Sequence, residues 1–217
     1  MNVVDQIGRL GLVPVVEIPD AALAGPLGQA LLAGGLPCAE ITFRTSSAAA
    51  AIAVLRRECP DLLVGAGTVL TPAQVDAAAD AGAAFIVAPG FNPATLERAR
   101  ARGLPMIPGV CTPTEIEQAL SHGVDVLKFF PAEAAGGVAF LRAVSAPYKN
   151  VRFIPTGGVS ASNLASYLAL PQVLACGGSW MVSQGLLLRG DFEAIRRLTS
   201  EAVSVAAAAR IQASARQ

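Results

Sequence analysis

The sequence predicts an α/β protein: a single (β/α)8 TIM barrel with a short N-terminal helix, residues 1–217 forming one domain. Three observations carry that expectation. Eight short apolar runs recur along the chain, each followed by a polar, alanine-rich segment with helical spacing. The runs are almost continuously hydrophobic rather than alternating, as parallel strands covered on both faces are. Pro89, Pro108, Pro131 and Pro155 all fall at the C-terminal ends of their runs, where a missing N–H does least harm, so the strands share one polarity. A chain of 217 residues, 53% hydrophobic and 15% charged, can bury one large core of this kind.

The N-terminal "MNVVDQIGRLG" has too short an apolar run, with Asp5 and Arg9 too early, for a signal peptide. "LVPVVEI" is the first strand, with Glu17 at its top. The turn that follows, "EIPDAAL", lacks the G-x-G-x-x-G of a dinucleotide-binding sheet, which disfavours a doubly wound open fold. Gly34 and Gly35 end a helix as its C-cap at the bottom rim, ahead of the second strand "CAEITF". After the third strand, "LLVGAG", comes "TPAQVDAAADAG", in which Thr71 caps a helix, Pro72 opens it and Gly82 stops it. The fourth and fifth strands are "AAFIVAP" and "LPMIPG". "TPTEIEQALSHG" repeats the Thr-Pro start and ends at Gly123. The sixth strand is "VLKFFP", and the "AGG" at 135–137 beyond it reads as a flexible loop at the top rim. "VRFIPTGG" and "VLACGG" complete the eight. "AVSVAAAARIQASARQ" reads as a last helix that frays at its end.

Several function classes drop out. Formal net charge is zero and the pI is about 6.6, without a block of like charge, so neither nucleic acid nor an acidic membrane surface is an expected partner. No stretch approaches the ~18 apolar residues of a membrane span, and a cytoplasmic location is expected. Cys38, Cys59, Cys111 and Cys176 include no C-x-x-C pair, which argues against zinc and against a redox dithiol. The single histidine, His122, falls at a helix end leading into a strand, at the rim opposite a barrel's active site. It is expected on the solvated surface, a poor start for a metal site or a Ser-His-Asp triad. No cofactor and no metal are expected.

The charges inside strands are the positive signal. Side chains alternate along a strand, so Val126, Lys128 and Phe130 share one face of "VLKFFP". An ammonium facing the helices would sit unpaired in an apolar layer at a cost of several kcal/mol, so Lys128 is expected in the lumen near the top, where barrels of this type host active sites. Glu40 shares a face with Cys38 and Thr42, while Arg44 and Thr45 close that strand. A buried salt bridge is one account of Glu40 and Lys128, though a weak contributor to stability. Amine catalysis is the other. Desolvation by Phe129 and Phe130, with a cation such as Arg44 nearby, would lower the lysine pKa and free its amine to form a Schiff base with a ketone. The iminium stabilises a carbanion at the next carbon, and Glu40 would shuttle the proton, directly or through water.

Two glycine pairs, in "TGGVSASN" and "CGGSWM", follow the seventh and eighth strands, where barrels often bind phosphate on backbone N–H groups and helix starts. Ser160 and Ser179 could add hydroxyl donors.

"CAEITFRT", "VGAGTVL", "LKFFPAE", "TGGVS" and "GGSWMV", in this order and spacing, resemble the 2-keto-3-deoxy-6-phosphogluconate (KDPG) aldolases, which also act as 4-hydroxy-2-oxoglutarate (KHG) aldolases. The resemblance runs from about Gln6 to Val203. It implies a homotrimeric (β/α)8 barrel and a metal-independent class I aldolase that splits 2-dehydro-3-deoxy-6-phosphogluconate into pyruvate and D-glyceraldehyde 3-phosphate. It further implies Lys128 as the Schiff-base lysine, Glu40 as the acid/base, Arg44 and Thr68 on the pyruvyl carboxylate, Thr156 in the same pocket and Phe130 beside the imine. Gly157, Gly158, Gly178 and Ser179 would hold the phosphate. The galactonate epimer and unphosphorylated 4-hydroxy-2-oxoglutarate are alternative substrates. A phosphosugar isomerase or synthase and a non-catalytic metabolite-binding barrel are alternative functions. Two positions depart from the family pattern. Glu17 stands where several relatives carry a basic or neutral residue, so that a carboxylate would bear on phosphate binding or aldehyde preference. Cys111 stands where serine is common, near enough the lumen to tune specificity.

Overall fold

The computed structural model describes residues 1–214. Its strands are β1 (Leu12–Val16), β2 (Cys38–Thr42), β3 (Leu63–Gly67), β4 (Ile86–Val87), β5 (Met106–Ile107), β6 (Gly109–Val110), β7 (Val126–Phe129), β8 (Arg152–Pro155) and β9 (Cys176–Gly178). Its helices are α1 (Val3–Leu10), α2 (Ala24–Ala33), α3 (Ala48–Glu58), α4 (Pro72–Asp80), α5 (Pro93–Ala101), α6 (Pro113–Ser121), α7 (Gly137–Ser145), α8 (Leu164–Leu168), α9 (Gln184–Leu188) and α10 (Phe192–Ser214). The fraying expected at the end of the last helix falls on residues 215–217, outside the described residues.

All the paired strands run parallel, as the proline positions suggested. They form a six-stranded half-barrel in the order β5-β4-β3-β2-β1-β9 and a three-stranded sheet in the order β6-β7-β8. The fifth run, expected as one strand, is split into β5 and β6 at Pro108, which has no N–H to give to a ladder. Isolated parallel bridges, Thr156↔Gly177 and Phe153↔Val173, link β8 to the β9 side.

Each strand is buried on both faces, and the alternation separates two apolar cores. Val16, Ala39, Ile41, Leu127 and Phe129 pack outward against the helices. Val13, Cys38, Phe85, Val87, Val126 and Ile154 pack inward against one another. Ile7, the one buried residue of α1, joins the inner cluster and closes its lower end.

The helix starts follow their sequence signals. Thr71 accepts a hydrogen bond from the Gln74 N–H ahead of Pro72, and Thr112 forms a reciprocal capping box with Glu115 ahead of Pro113. Gly34 caps α2 as expected. Gly136, in the expected loop, is the N-cap of α7. Arg98 of α5 and Arg102 at its C-cap both reach Asp76 of α4, at 2.6 and 2.8 Å, and pin the two helices together.

Candidate active site

Glu40 and Lys128 meet inside the strand wall. β2 contributes Glu40 on the face shared with inward-packed Cys38, and β7 contributes Lys128 on the face shared with inward-packed Val126. Lys128 Nζ lies 3.5 Å from Glu40 Oε1, each side chain 4% exposed. Glu40 Oε1 is buried without a hydrogen-bond partner, so the carboxylate keeps an unused acceptor next to the amine. Room for it comes from Gly67 on the neighbouring strand, because a Cβ there would stand 2.2 Å from Glu40 Oε1. Beneath the pair is a cavity of ≈ 10 Å³ bordered by Ile7, Phe85 and Thr156, about the space of one water.

The surroundings of Lys128 differ from expectation in two respects. Of the two phenylalanines only Phe130 flanks the amine, with Nζ 5.1 Å from its ring centroid. Phe129 points outward, since strand alternation sends consecutive residues to opposite faces, and stacks on Phe140 at 6.0 Å. Arg44 does not pair with the lysine site. β2 ends at Thr42 rather than at Thr45, and in the loop beyond it Arg44 pairs with Glu17 at 3.5 Å.

Above the lysine opens a cleft of ≈ 310 Å³. It gathers Arg44, Phe130, Thr156, Gly157, Gly158, Gly178 and Ser179 on one surface, although they come from the ends of four different strands. Thr68, just beyond β3, is not among the residues lining it. Thr68 has φ 55°, a left-handed backbone unusual for a β-branched residue and a form of strain that recurs at functional sites.

The glycine loops have specific steric reasons. Gly157 and Gly158 adopt φ 96° and 84°, which side-chain-bearing residues avoid. At Gly178 a Cβ would stand 1.9 Å from the Trp180 ring. The helix starts expected at the two loops take another form: α8 begins only at Leu164, and a 3-10 turn, Trp180–Val182, follows Ser179. Ser160 turns away from the cleft, with its hydroxyl 2.9 Å from that of Ser162 and its N–H donating to Asn163 Oδ1.

Supporting residues emerge that sequence reasoning passed over. Glu133 N–H donates to Gly157 O at 3.0 Å and Ala132 N–H to Thr156 O at 2.8 Å, which ties the "PAE" segment to the first glycine loop. The Tyr167 hydroxyl donates to Glu133 Oε1, and burial with that carboxylate beside it pushes the phenol pKa up. Thr42, Thr45 and Ser47 donate to the carbonyls of Val16, Ile18 and Pro19 at 2.9, 2.7 and 3.0 Å, fastening the end of β1 to the loop after β2. The small-residue strand "VGAG" was the available signal for Gly67. For the hydroxyl staples there was none, because their partners are 26–28 residues away.

His122 is not simply solvated: its ring lies 5.0 Å from Phe91 and its Nδ1 is 2.9 Å from Gln118 O. It caps the C-terminus of α6, ahead of the strand that carries Lys128. Cys111, just beyond β6, is half-buried, and its N–H donates to Glu115 Oε2 at 2.7 Å. Burial, with Glu115 nearby, raises its thiol pKa. Among the described residues no group of three His, Cys, Asp or Glu side chains is arranged to hold a metal ion.

Comparison with known proteins shows the family and the fold. The family model for KDPG and KHG aldolase matches residues 3–198. A 2-dehydro-3-deoxy-phosphogluconate aldolase of Treponema pallidum is 48% identical over 205 residues, covering 94% of this chain and 98% of the relative. The crystal structure of the 2-keto-3-deoxy-6-phosphogluconate aldolase of Zymomonas mobilis with 3-phosphoglycerate superposes with a TM-score of 0.88 at 39% identity, covering 94% of this chain and 96% of that one. The Legionella pneumophila KDPG aldolase, with pyruvate captured as a covalent carbinolamine, superposes with a TM-score of 0.86 at 39% identity, covering 90% and 97%.

Proposed function

The chain belongs to the KDPG and KHG aldolase family, and on that premise we propose that it cleaves 2-dehydro-3-deoxy-6-phosphogluconate to pyruvate and D-glyceraldehyde 3-phosphate by a Schiff-base mechanism. It would act likewise on 4-hydroxy-2-oxoglutarate, giving pyruvate and glyoxylate. The observation that carries the proposal is the approach of Lys128 Nζ to Glu40 Oε1, 3.5 Å apart below a cleft rimmed by two glycine loops.

In this reading the Lys128 amine adds to the C2 ketone of the substrate, and loss of water gives an iminium. Glu40, with a buried oxygen that has no other partner, takes the proton from the C4 hydroxyl as the C3–C4 bond breaks. The electron pair passes into the iminium to form an enamine, the aldehyde departs, and C3 is protonated before water releases pyruvate. Arg44 and Thr68 would hold the pyruvyl carboxylate, with Thr156 and Phe130 flanking the imine. The N–H groups around Gly157, Gly158 and Gly178, with the Ser179 hydroxyl, would hold the phosphate.

We read the two sheets as one (β/α)8 barrel in a single domain, a reading supported by the isolated bridges from the β8 side to the β9 side and by the interruption of the fifth run at Pro108 alone. Metal independence follows from chemistry in which the lysine iminium is the electron sink. The homotrimer is carried by the family resemblance. No helix of the described residues is long and apolar enough to cross a membrane, and four free cysteines suit a reducing cytoplasm.

The test is sodium borohydride reduction in the presence of pyruvate, read by intact mass and peptide digestion. An adduct on the peptide containing Lys128 is expected. A folded protein with no adduct would overturn the Schiff-base mechanism.

A further inference from the structure

Glu17 is a carboxylate in a cleft otherwise built to receive anions. It shares the cleft wall with the glycine loops and Ser179. Its side chain is 41% exposed and faces Arg44 at 3.5 Å, a separation too long and too loosely aligned to count among the hydrogen bonds. Its position is not free to relax, because Thr42, Thr45 and Ser47 fasten the carbonyls of Val16, Ile18 and Pro19 on either side of it.

Strand register gives its height in the site. Val15 lies opposite Glu40, and Pro14 lies opposite Gly178. Glu17, two residues beyond Val15, is therefore ~6.6 Å farther up the lumen wall than the level of Glu40. Its strand also stands between β2, which leads to Arg44, and β9, which ends in the Gly178 loop. A substrate bound through a carboxylate on one side and a phosphate on the other would carry its middle atoms past Glu17.

We infer that Glu17 is a specificity-determining residue: it accepts a hydrogen bond from a hydroxyl on C5, the second carbon beyond the cleaved C3–C4 bond, and it repels substrates in which that carbon is a carboxylate. The inference rests on the aldolase reading above. In the phosphorylated six-carbon substrate C5 bears a hydroxyl, a donor that a carboxylate satisfies. In the five-carbon dicarboxylic substrate C5 is itself a carboxylate, a like charge that costs binding energy. The same repulsion disfavours glyoxylate as the aldehyde partner in the reverse direction.

The experiment measures kcat/KM for both substrates in wild-type enzyme and in Glu17→Gln, at low and at high ionic strength, with borohydride trapping of pyruvate run in parallel. Glutamine keeps the size and a hydrogen-bond acceptor and removes the charge. The expected result is a rise of about tenfold in the ratio of dicarboxylate to phosphorylated-substrate kcat/KM. That rise should shrink as added salt screens the half-exposed carboxylate in the wild type. Glu17→Gln should still form the pyruvate adduct, since pyruvate has no C5. A ratio within about twofold of wild type, or an equal loss on both substrates, would overturn the inference. So would loss of the pyruvate adduct in the variant, which would place the effect of Glu17 on the pyruvyl end through Arg44. If wild-type enzyme neither forms the adduct nor turns over either substrate, the aldolase reading fails first and takes the inference with it.

Discussion

Glu40 Oε1 and Lys128 Nζ lie 3.5 Å apart, with both side chains almost wholly out of solvent. A buried ion pair is a poor source of stability, because desolvating two charges offsets most of their attraction. The Schiff-base mechanism proposed above would account for its presence in an apolar strand wall. Lys128→Ala is expected to abolish both turnover and borohydride trapping, with circular dichroism confirming that the variant folds. Glu40→Gln should slow turnover by about a hundredfold or more while some adduct still forms, because it removes the proton acceptor and leaves the amine. Wild-type activity in Lys128→Ala would sink the mechanism.

Gly67 has no side chain because Glu40 occupies the space. In Gly67→Ala the new Cβ would meet the carboxylate at 2.2 Å and force it, or its strand, to move. If Glu40 is the proton shuttle proposed above, displacing it by an ångström is expected to lower kcat about a hundredfold. Overpacking should cost about 1–3 kcal/mol, read from urea denaturation. A normal kcat would mean that the position of Glu40 in the unliganded protein does not matter to the reaction.

The second glycine loop can be probed at Ser179. Ser179→Ala is expected to raise KM for the phosphorylated substrate several-fold, with little change on the unphosphorylated one. Equal losses on the two substrates would count against phosphate binding there.

Tyr167 reaches the first glycine loop indirectly, through its hydrogen bond to Glu133. Tyr167→Phe should leave that carboxylate short of a donor at a cost of about 1–3 kcal/mol. For a chain of this size that corresponds to a drop in Tm of roughly 2–4 °C per kcal/mol. If Glu133 aims the loop, KM for the phosphorylated substrate rises as well. A lower Tm with unchanged KM would assign the pair to stability alone.

Asp76 gives a prediction in pH. The hydrogen bond from Arg98, reinforced by Arg102 and by the charges of both, holds its carboxyl below the ordinary value of 3.8. A depressed folded-state pKa stabilises the fold above the unfolded value, and that contribution is lost as pH falls through the folded one. The Tm advantage of wild type over Asp76→Asn should therefore be constant near neutrality and should narrow below pH 3.8. An advantage that persists unchanged into strong acid would show that the arginine contacts do not act through the carboxylate charge.

Much of this protein was legible in its sequence, for reasons that are local. The eight apolar runs, the Thr71 and Thr112 caps and the stops at Gly82 and Gly123 are set by side-chain alternation and by which orphaned backbone groups a residue can satisfy. The same alternation put Lys128 and Glu40 on inward faces, and the cost of an unpaired buried ammonium made them candidates before any contact was known. What the tertiary structure decided is pairing across the chain. It matched Lys128 with Glu40 and Arg44 with Glu17, turned Phe129 away from the amine, and split the fifth run at Pro108. It also disclosed why Gly67 must be small and how Tyr167 braces Glu133. Those facts depend on strand register and on loops that meet across tens of residues. Local patterning says which face a side chain takes, and only the assembled sheets say what it finds there.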